Sequence, residues 1–212
     1  MPPKAKFTKE EIIDAALQIA RTRGMEAITA RDVAAQLGVS TRPIFTYFRT
    51  MEEVRREVYA SAERLYGERI ARGLQNRRPF LGVGVEYLRF AQEEPKLYRI
   101  LFLTRPADAN EGAIAAMRST QNDVRASVMR EYKMTAREAD RLFRDMWIVA
   151  HGLATLLVTN GECYSMDEMR AMLTGFSASI CRSIKEVAGY VDDKIDRDAE
   201  FARILGKSEG GE

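Results

Sequence analysis

The sequence predicts an all-α protein, with a three-helix helix-turn-helix domain over residues 1–50 and a larger helical domain over residues 51–212. Apolar residues recur at helical spacing along almost the whole chain. The composition is rich in helix formers, and only six prolines interrupt 212 residues. Several helix starts are marked by a threonine or serine with a glutamate three positions later.

Composition and charge narrow the class of protein. The net charge is +2, but residues 1–50 carry eight Lys/Arg against five Asp/Glu, whereas the remainder is nearly neutral. A basic end on a neutral body favours a polyanionic partner for the first fifty residues. Cys163 and Cys181 show no metal-ligand spacing and do not resemble a secreted disulfide framework. We therefore expect a cytoplasmic protein with no metal site and no cofactor.

No membrane partner is expected. The N-terminal segment MPPKAKFTKEE lacks the apolar core of a signal peptide. The longest apolar run, Met146–Val158, is shorter than the roughly 20 residues that cross a bilayer, and it contains a histidine.

Capping residues define the first two helices. Thr8 and Glu11 form a capping box for the first helix, and Gly24 provides its stop. Thr29 is expected to cap a short second helix, which ends at Gly38.

A third helix begins almost at once. Ser40 is expected to cap it, and Pro43 falls in its first turn, where a missing N–H costs nothing. Ala34 lies four residues before Gly38 and Ile44 lies six after it. This is helix-turn-helix spacing, with a small residue at the helix contact, a glycine at the turn and a branched residue facing the first helix. The alternative is an ordinary corner between two helices, which the number of fitting positions and the basic flank disfavour.

The segment AITARDVAAQLGVSTRPIFTYFRTMEEV, with the helix before it, resembles the DNA-binding domain of the TetR/AcrR family over about residues 8–55. The resemblance implies that the N-terminal helices bind DNA, and that the divergent C-terminal domain binds a small ligand and forms a dimer. Two positions depart from the family pattern, because Phe45 replaces the usual tyrosine and Met51 a frequent lysine. We expect Arg49 to supply the phosphate-binding charge instead.

The third helix carries the predicted base contacts. Arg42 is the best candidate for a bidentate contact to guanine, and Thr41 and Thr46 can touch a thymine methyl or a phosphate. The Tyr47 hydroxyl and the helix start at Thr29 can hold phosphates. Lys6 could reach the DNA, although a solvated tail is an equal or better interpretation of this residue. The predicted DNA-binding residues are Lys6, Thr29, Arg31, Ser40, Thr41, Arg42, Thr46, Tyr47 and Arg49.

Residues from 51 onward are predicted to form further helices. A charged fourth helix should link the two domains, and prolines and capping boxes separate those that follow. The expected spans are 51–74, a helix ending near 93, 96–103 after Pro95, 111–132 after a break at Pro106, 135–160, 165–187 and 192–205.

Two of these helices are predicted to form a homodimer. Residues 146–158 are apolar on nearly every face, so this eighth helix should be buried on all sides, more than one small bundle can cover. Small residues on one side of the ninth helix, such as Gly175, allow close helix approach. Its other side has an apolar stripe, which consists of Met169, Met172, Leu173, Phe176, Ile180, Ile184 and Val187. Two such helices from each chain would form an isologous four-helix interface.

The larger domain contains candidate residues for a small-molecule pocket. Trp147, His151 and Gly152 resemble the Trp-x-x-x-His-Gly segment of a subgroup of ligand domains in the same family. Apolar and aromatic walls with a few polar groups are typical of such a pocket, although packed core is the stronger alternative for each residue. His151 could bind a ligand, but we favour a structural role for it. The candidate ligand residues are Tyr87, Phe90, Tyr98, Leu101, Phe102, Met117, Phe143, Met146, Trp147 and His151.

The sequence therefore predicts a ligand-responsive, DNA-binding regulator of transcription. The resemblance implies a repressor that a small, largely apolar effector releases from a double-stranded, palindromic operator. The alternatives are an architectural or a redox-responsive DNA-binding protein. An enzyme is the least favoured, because the chain has one histidine and no nucleophile elbow, glycine-rich phosphate loop or metal cluster.

Overall fold

The computed structural model describes residues 7–105, 112–161 and 163–206. These residues form helices and no β-strand, which confirms the predicted all-α class. The helices are α1 Lys9–Arg23, α2 Ala30–Leu37, α3 Ile44–Tyr47, α4 Met51–Leu74, α5 Pro79–Glu93, α6 Pro95–Tyr98, α7 Gly112–Tyr132, α8 Ala136–Asn160, α9 Met166–Glu186 and α10 Arg197–Ile204.

Most of the predicted caps begin or end helices where expected. The Thr8 hydroxyl accepts the Glu11 amide at 3.1 Å, and the Glu11 carboxylate accepts the Thr8 amide at 2.7 Å. Matching capping boxes start α8 at Thr135 and α9 at Ser165. Gly38 ends α2 in the left-handed conformation, with φ 68° and ψ 35°, which a glycine adopts without steric cost.

The third helix is shorter than predicted, and Ser40 does not cap it. α3 begins at Ile44 without a side-chain cap, and residues 41–43 form a turn in which the Ile44 amide donates to the Thr41 carbonyl at 3.2 Å. Pro43 gives the physical reason, because a proline disfavours the helical conformation in the residue before it. Arg42 therefore lies on a turn that leads into α3.

The first three helices pack around one apolar core. Ile12 of α1, Val33 of α2, Ile44 of α3 and Phe48 after it are all buried. α4 packs against α1 and then continues, over its 24 residues, to pack against α5. One continuous helix therefore joins the helix-turn-helix unit to the remaining helices.

An ion pair makes a second connection between the two groups of helices. The Arg21 guanidinium, near the end of α1, donates to both carboxylate oxygens of Glu94, at 2.6 and 3.0 Å. Glu94 lies between α5 and α6. Bidentate geometry of this kind fixes orientation as well as contact.

Two glycines allow α4 and α5 to approach closely. A Cβ atom on Gly73 would lie 2.6 Å from Val83 Cα, and one on Gly82 would lie 2.7 Å from Asn76 Cβ and nearer still to the Gly73 carbonyl. The backbones of the two helices are therefore in direct contact.

The predicted helix over 96–103 is divided. α6 ends at Tyr98, and Arg99–Leu103 form a π-helical turn. The amide and hydroxyl of Thr104 both donate to the Arg99 carbonyl at 2.9 Å, which closes the wider turn.

The last helix starts later than predicted. α10 begins at Arg197, capped by Asp196, and not near residue 192. Gly189 adopts a φ of 77°, and the Lys194 amide donates to its carbonyl at 2.9 Å. In this turn the Lys194 amide is already bonded to the Gly189 carbonyl, so residues 189–194 form a closed turn instead of the first turn of a helix that starts near residue 192.

Some predictions concern residues outside the described part of the chain. The break at Pro106 and a start of α7 at Glu111 belong to this group. Among the described helices, α8 alone has the length and mean hydropathy to cross a membrane, but 44% of its apolar window is buried inside the protein. The core helix of a folded protein can have the same length and hydropathy as a membrane-spanning helix.

Candidate DNA-binding surface and ligand cavity

Four side chains form an exposed face at and before α3, which we call the α3 face: Thr41, Arg42, Phe45 and Thr46. Ile44 and Phe48 are buried one helical turn apart and hold the opposite side of α3 in the core. The exposed residues include two hydroxyls, one guanidinium and a phenyl ring that is 50% exposed. Phe45, which the sequence suggested only as a lost hydroxyl, thus lies on the same face as the predicted base-contacting residues.

The carboxylate of Asp32 lies at the start of α2, where a DNA phosphate was predicted to bind. The Thr29 hydroxyl accepts the Asp32 amide at 3.1 Å and also bonds to the Asp32 carboxylate. Hydrogen bonds from Thr29 and Arg23 hold the pKa of the Asp32 carboxyl below its usual range. A phosphate at this helix start would therefore depend on positive charge from Arg23 and from Arg31, which is exposed.

The remaining predicted DNA-binding residues occupy different settings. The Tyr47 hydroxyl donates to the Phe7 carbonyl at 2.8 Å, so it ties the start of the described chain to α3. Arg49 and Ser40 are exposed. Lys6 lies outside the described residues.

A cavity of about 250 Å³ lies among α4, α5, α7, α8 and α9, and we call it the central cavity. Of the candidate ligand residues, four line it: Tyr87, Phe143, Met146 and Trp147. The sequence did not name the other large side chains of its wall as ligand candidates, and these include Tyr66, Ile70, Phe80 and Val83. Leu173 also lines the cavity and is buried inside the chain, so the expectation that the apolar stripe of the ninth helix faces a partner chain is wrong for this residue.

The other six candidates do not line the central cavity. Phe90 and Tyr98 are fully buried in the core. Leu101 and Phe102 border a second cavity, of about 350 Å³, between α4 and α7. Met117 borders a shallow groove near Arg141 on the surface.

His151 joins α8 to α5 and α6. Its Nδ1 lies 2.9 Å from the Tyr87 hydroxyl and 2.9 Å from the Tyr98 hydroxyl. Burial lowers the pKa of His151, which favours the neutral ring, whose Nδ1 lone pair can accept a hydroxyl proton. Its ring also stacks on Trp147, with centroids 4.7 Å apart and an interplanar angle of 8°. The structure gives His151 helix-joining contacts, the role that the sequence favoured.

A buried hydrogen bond separates the two cavities. The Tyr66 hydroxyl of α4 lies 2.8 Å from the Thr120 hydroxyl of α7, and both residues border both cavities. Burial raises the pKa of Tyr66, so its hydroxyl stays protonated and able to donate.

The cysteines lie in unlike settings. Cys181 borders the central cavity, and burial raises the pKa of its thiol. Cys163 is exposed. A raised pKa keeps the Cys181 thiol protonated at neutral pH, whereas redox-sensing cysteines depend on the thiolate.

Two family models match this sequence. The model of bacterial regulatory proteins of the tetR family matches residues 12–58, and the model of the tetracyclin repressor-like C-terminal domain matches residues 80–175. The chain belongs to the TetR family. TetR-family regulators are DNA-binding transcription factors and not enzymes.

Solved structures share the fold of this TetR-family regulator. One is a tetR-family transcriptional regulator from Streptomyces coelicolor, with a TM-score of 0.65 and 17% identity over 95% of this chain and 100% of that one. Another is a TetR variant from Acinetobacter baumannii AYE in complex with minocycline, with a TM-score of 0.53 and 21% identity over 85% of this chain and 97% of that one. No curated protein matches the sequence significantly.

An apolar surface runs along α8 and α9 of this TetR-family regulator. Ile148 and Leu156, two turns apart on α8, are 60% and 43% exposed, and Phe176 of α9 is 50% exposed. Gly152 and Gly175, on the same two helices, have no atom within 4 Å of the position of a Cβ. We call these five residues the α8–α9 face. Large exposed apolar side chains beside bare backbone are typical of a surface that another helix covers.

Proposed function

We propose that this TetR-family regulator is a homodimeric repressor that leaves its operator when a small, largely apolar effector occupies the central cavity. The observation that carries the proposal is that α4 contributes residues to the cavity wall. Tyr66 and Ile70 belong to α4, and the first turns of α4 pack against α1 of the helix-turn-helix unit. An effector in the cavity therefore touches the helix that positions the DNA-reading residues.

Residues 1–50 are proposed as the DNA-binding domain and residues 51–212 as the effector-binding and dimerisation domain. The α3 face would enter the major groove, with Arg42 contacting a guanine and the two threonines contacting thymine methyls or phosphates. Lys6, Thr29, Arg31, Ser40, Tyr47 and Arg49 complete the proposed contact set. Two copies related by a two-fold axis would read a palindromic operator, with half-sites about 34–36 Å apart.

The α8–α9 face is the proposed dimer interface. Pairing α8 and α9 with their symmetry mates would cover Ile148, Leu156 and Phe176, which are exposed in the single chain. The glycines on this face would let the helices approach closely. An interface of this kind is isologous, because each chain contributes the same surface.

The small-molecule partner is supported by the cavity and by one related structure. The central cavity lies between helices, has exposed residues such as Thr174 and Ala178 at its edge, and is lined mainly by aromatic and aliphatic side chains, as small-molecule sites usually are. A TetR variant of similar fold holds minocycline. A repressor that acts on operator DNA would work in the cytoplasm, which is the location that we propose.

A cavity-filling variant tests this function. Compounds from a library of small apolar molecules that raise the Tm of the protein would serve as effectors. In the wild type they should also release operator DNA. Ala150→Trp, at the cavity wall, should bind operator as the wild type does but should not be released.

Ala126→Trp is the matched control, because Ala126 is exposed on α7 and borders no cavity described here. This variant should be released normally. Compounds that raise the Tm of the wild type and leave operator binding unchanged would contradict the proposal. An architectural DNA-binding protein would then be the better account.

A further inference from the structure

Phe45 is a large apolar side chain that the helix-turn-helix unit leaves half exposed, whereas its neighbours Ile44 and Phe48 are buried in the core. Within residues 7–50, Tyr47 is the other large hydrophobic residue that is exposed, and its hydroxyl is bonded to the Phe7 carbonyl. Single exposed apolar side chains are common on protein surfaces, so the position of Phe45 decides what its ring can contact.

Phe45 lies between the polar residues of the α3 face. Thr41 precedes it by four positions, Arg42 by three, and Thr46 follows it directly, and all three are exposed. Pro43 has a right-handed helical backbone, with φ −55° and ψ −35°, so the turn winds in the same sense as α3. Side chains three and four positions apart then lie on one side of the segment. The phenyl ring therefore belongs to the surface that is proposed to enter the major groove.

A phenyl ring suits one feature of the major groove. The base edges present hydrogen-bond donors, hydrogen-bond acceptors and the C5-methyl group of thymine, which is the apolar group among them. Because a phenyl ring has no donor or acceptor for such bonds, covering a polar base edge would remove its water and supply no partner. Packing against the thymine methyl instead removes apolar surface of both groups from water. The chemistry of the ring thus favours thymine over the other bases.

We propose that Phe45 contacts a thymine in each operator half-site by packing its ring against the C5-methyl group. This rests on the proposed function, in which the α3 face enters the major groove, and it adds a specificity-determining residue to the proposed contact set. Arg42 and the two threonines supply polar contacts, whereas the Phe45 contact depends on a single methyl group. Removing that methyl from one half-site should lower operator affinity about threefold to fivefold, as expected for the burial of one such group.

Replacement of thymine by uracil tests the contact, because it removes the C5-methyl group and keeps the base pair. The DNA probe is the tightest-binding duplex that the full-length wild-type protein selects from a random library. Each thymine of one half-site is replaced in turn by deoxyuridine, and fluorescence anisotropy at constant salt gives the Kd. One position should show the threefold to fivefold loss with the wild type and no loss with Phe45→Ala. Comparing both proteins on both duplexes isolates the contact between the ring and the methyl group.

Two control variants separate this contact from other effects. Thr46→Ser removes a methyl group from the same face and keeps the hydroxyl, so the uracil effect at the Phe45 position should remain. Ile114→Ala removes an exposed apolar side chain from α7 and should leave every Kd unchanged. The Tm of Phe45→Ala should stay close to that of the wild type, because the side chain has no place in the core.

The outcomes separate the claims. A uracil effect of equal size in the wild type and in Phe45→Ala at every position, including no effect in either, would overturn the inference and leave operator binding in place. If Phe45→Ala then bound all duplexes equally more weakly, the ring would contact the sugar–phosphate backbone. Failure of the wild type to select any duplex would overturn the inference together with the proposed operator-specific function.

Discussion

The backbone conformation of Arg42 is restricted by the proline that follows it. Pro43 disfavours a helical backbone at position 42, and α3 accordingly begins at Ile44. The Arg42 carbonyl accepts the Thr46 hydroxyl at 3.3 Å, and its side chain is exposed. The residue therefore has no role in the core, and its substitution should affect DNA binding without unfolding the domain.

Arg42→Ala should weaken binding to the operator by about 1–3 kcal/mol, because the proposed bidentate contact to guanine would be lost. Arg42→Lys should lose much of the same affinity, since an ammonium group keeps the charge and not the two-pronged geometry. Competition binding at constant salt, with operator and unrelated DNA, checks this. An equal loss for both DNAs would identify a phosphate contact and contradict the base contact.

At the scale of single residues, the sequence predicted which aromatic residues lie together better than it predicted which of them face the cavity. It indicated that Tyr98, Trp147 and His151 belong to one aromatic region, and the structure brings them together. It could not distinguish Trp147, which borders the cavity, from Tyr98, which is fully buried. That difference depends on how each helix is rotated against its neighbours, and apolar spacing does not fix the rotation.

Helices were predictable where their start depends on a few adjacent residues. The boxes at Thr8, Thr135 and Ser165 each satisfy local amides, so sequence alone identifies them. α3 and α10 begin later than predicted, because Pro43 and the turn at Gly189 override the apolar pattern.

Contact between α4 and α5 gives a prediction at this scale. Gly82→Ala should destabilise the protein by about 1–3 kcal/mol, because its Cβ would meet the backbone of Gly73 and the side chain of Asn76. Gly67→Ala, on the exposed side of α4, meets no atom within 4 Å and should stabilise the helix by up to about 1 kcal/mol. Urea unfolding of both variants measures the difference. Equal effects would show that the two helices are not in close contact.

For the whole molecule, the cavity depends on the arrangement of five helices. Its wall takes residues from α4, such as Tyr66, and from α9, such as Leu173, which are more than 100 positions apart in the sequence. The candidate ligand residues were drawn from α5 to α8, so both of these walls were missed. The positions of α4 and α9 follow from long-range packing, including the close approach at Gly73 and Gly82, which local sequence patterns do not encode.

The α8–α9 face gives a prediction for assembly. Phe176→Asp should weaken dimerisation by about 3 kcal/mol or more, roughly 100-fold, because it would bury an unpaired carboxylate in the interface. Operator affinity should fall with it, since each chain of the proposed dimer would read one half-site. Phe201→Asp is the control, because Phe201 is also exposed but lies on α10. Sedimentation equilibrium measures the monomer–dimer equilibrium of each protein. A Phe176→Asp variant that remains as dimeric as the wild type would contradict the proposed interface.

The central claim is that the cavity and the α3 face are energetically coupled. By linkage, an effector that lowers operator affinity must itself bind less tightly to the operator-bound protein, by the same factor. The most direct measurement is the Kd of a releasing compound for the protein alone, with saturating operator, and with scrambled DNA of equal length. The account predicts a Kd raised about 5- to 150-fold by operator and little changed by scrambled DNA. An equal Kd with and without operator would contradict it.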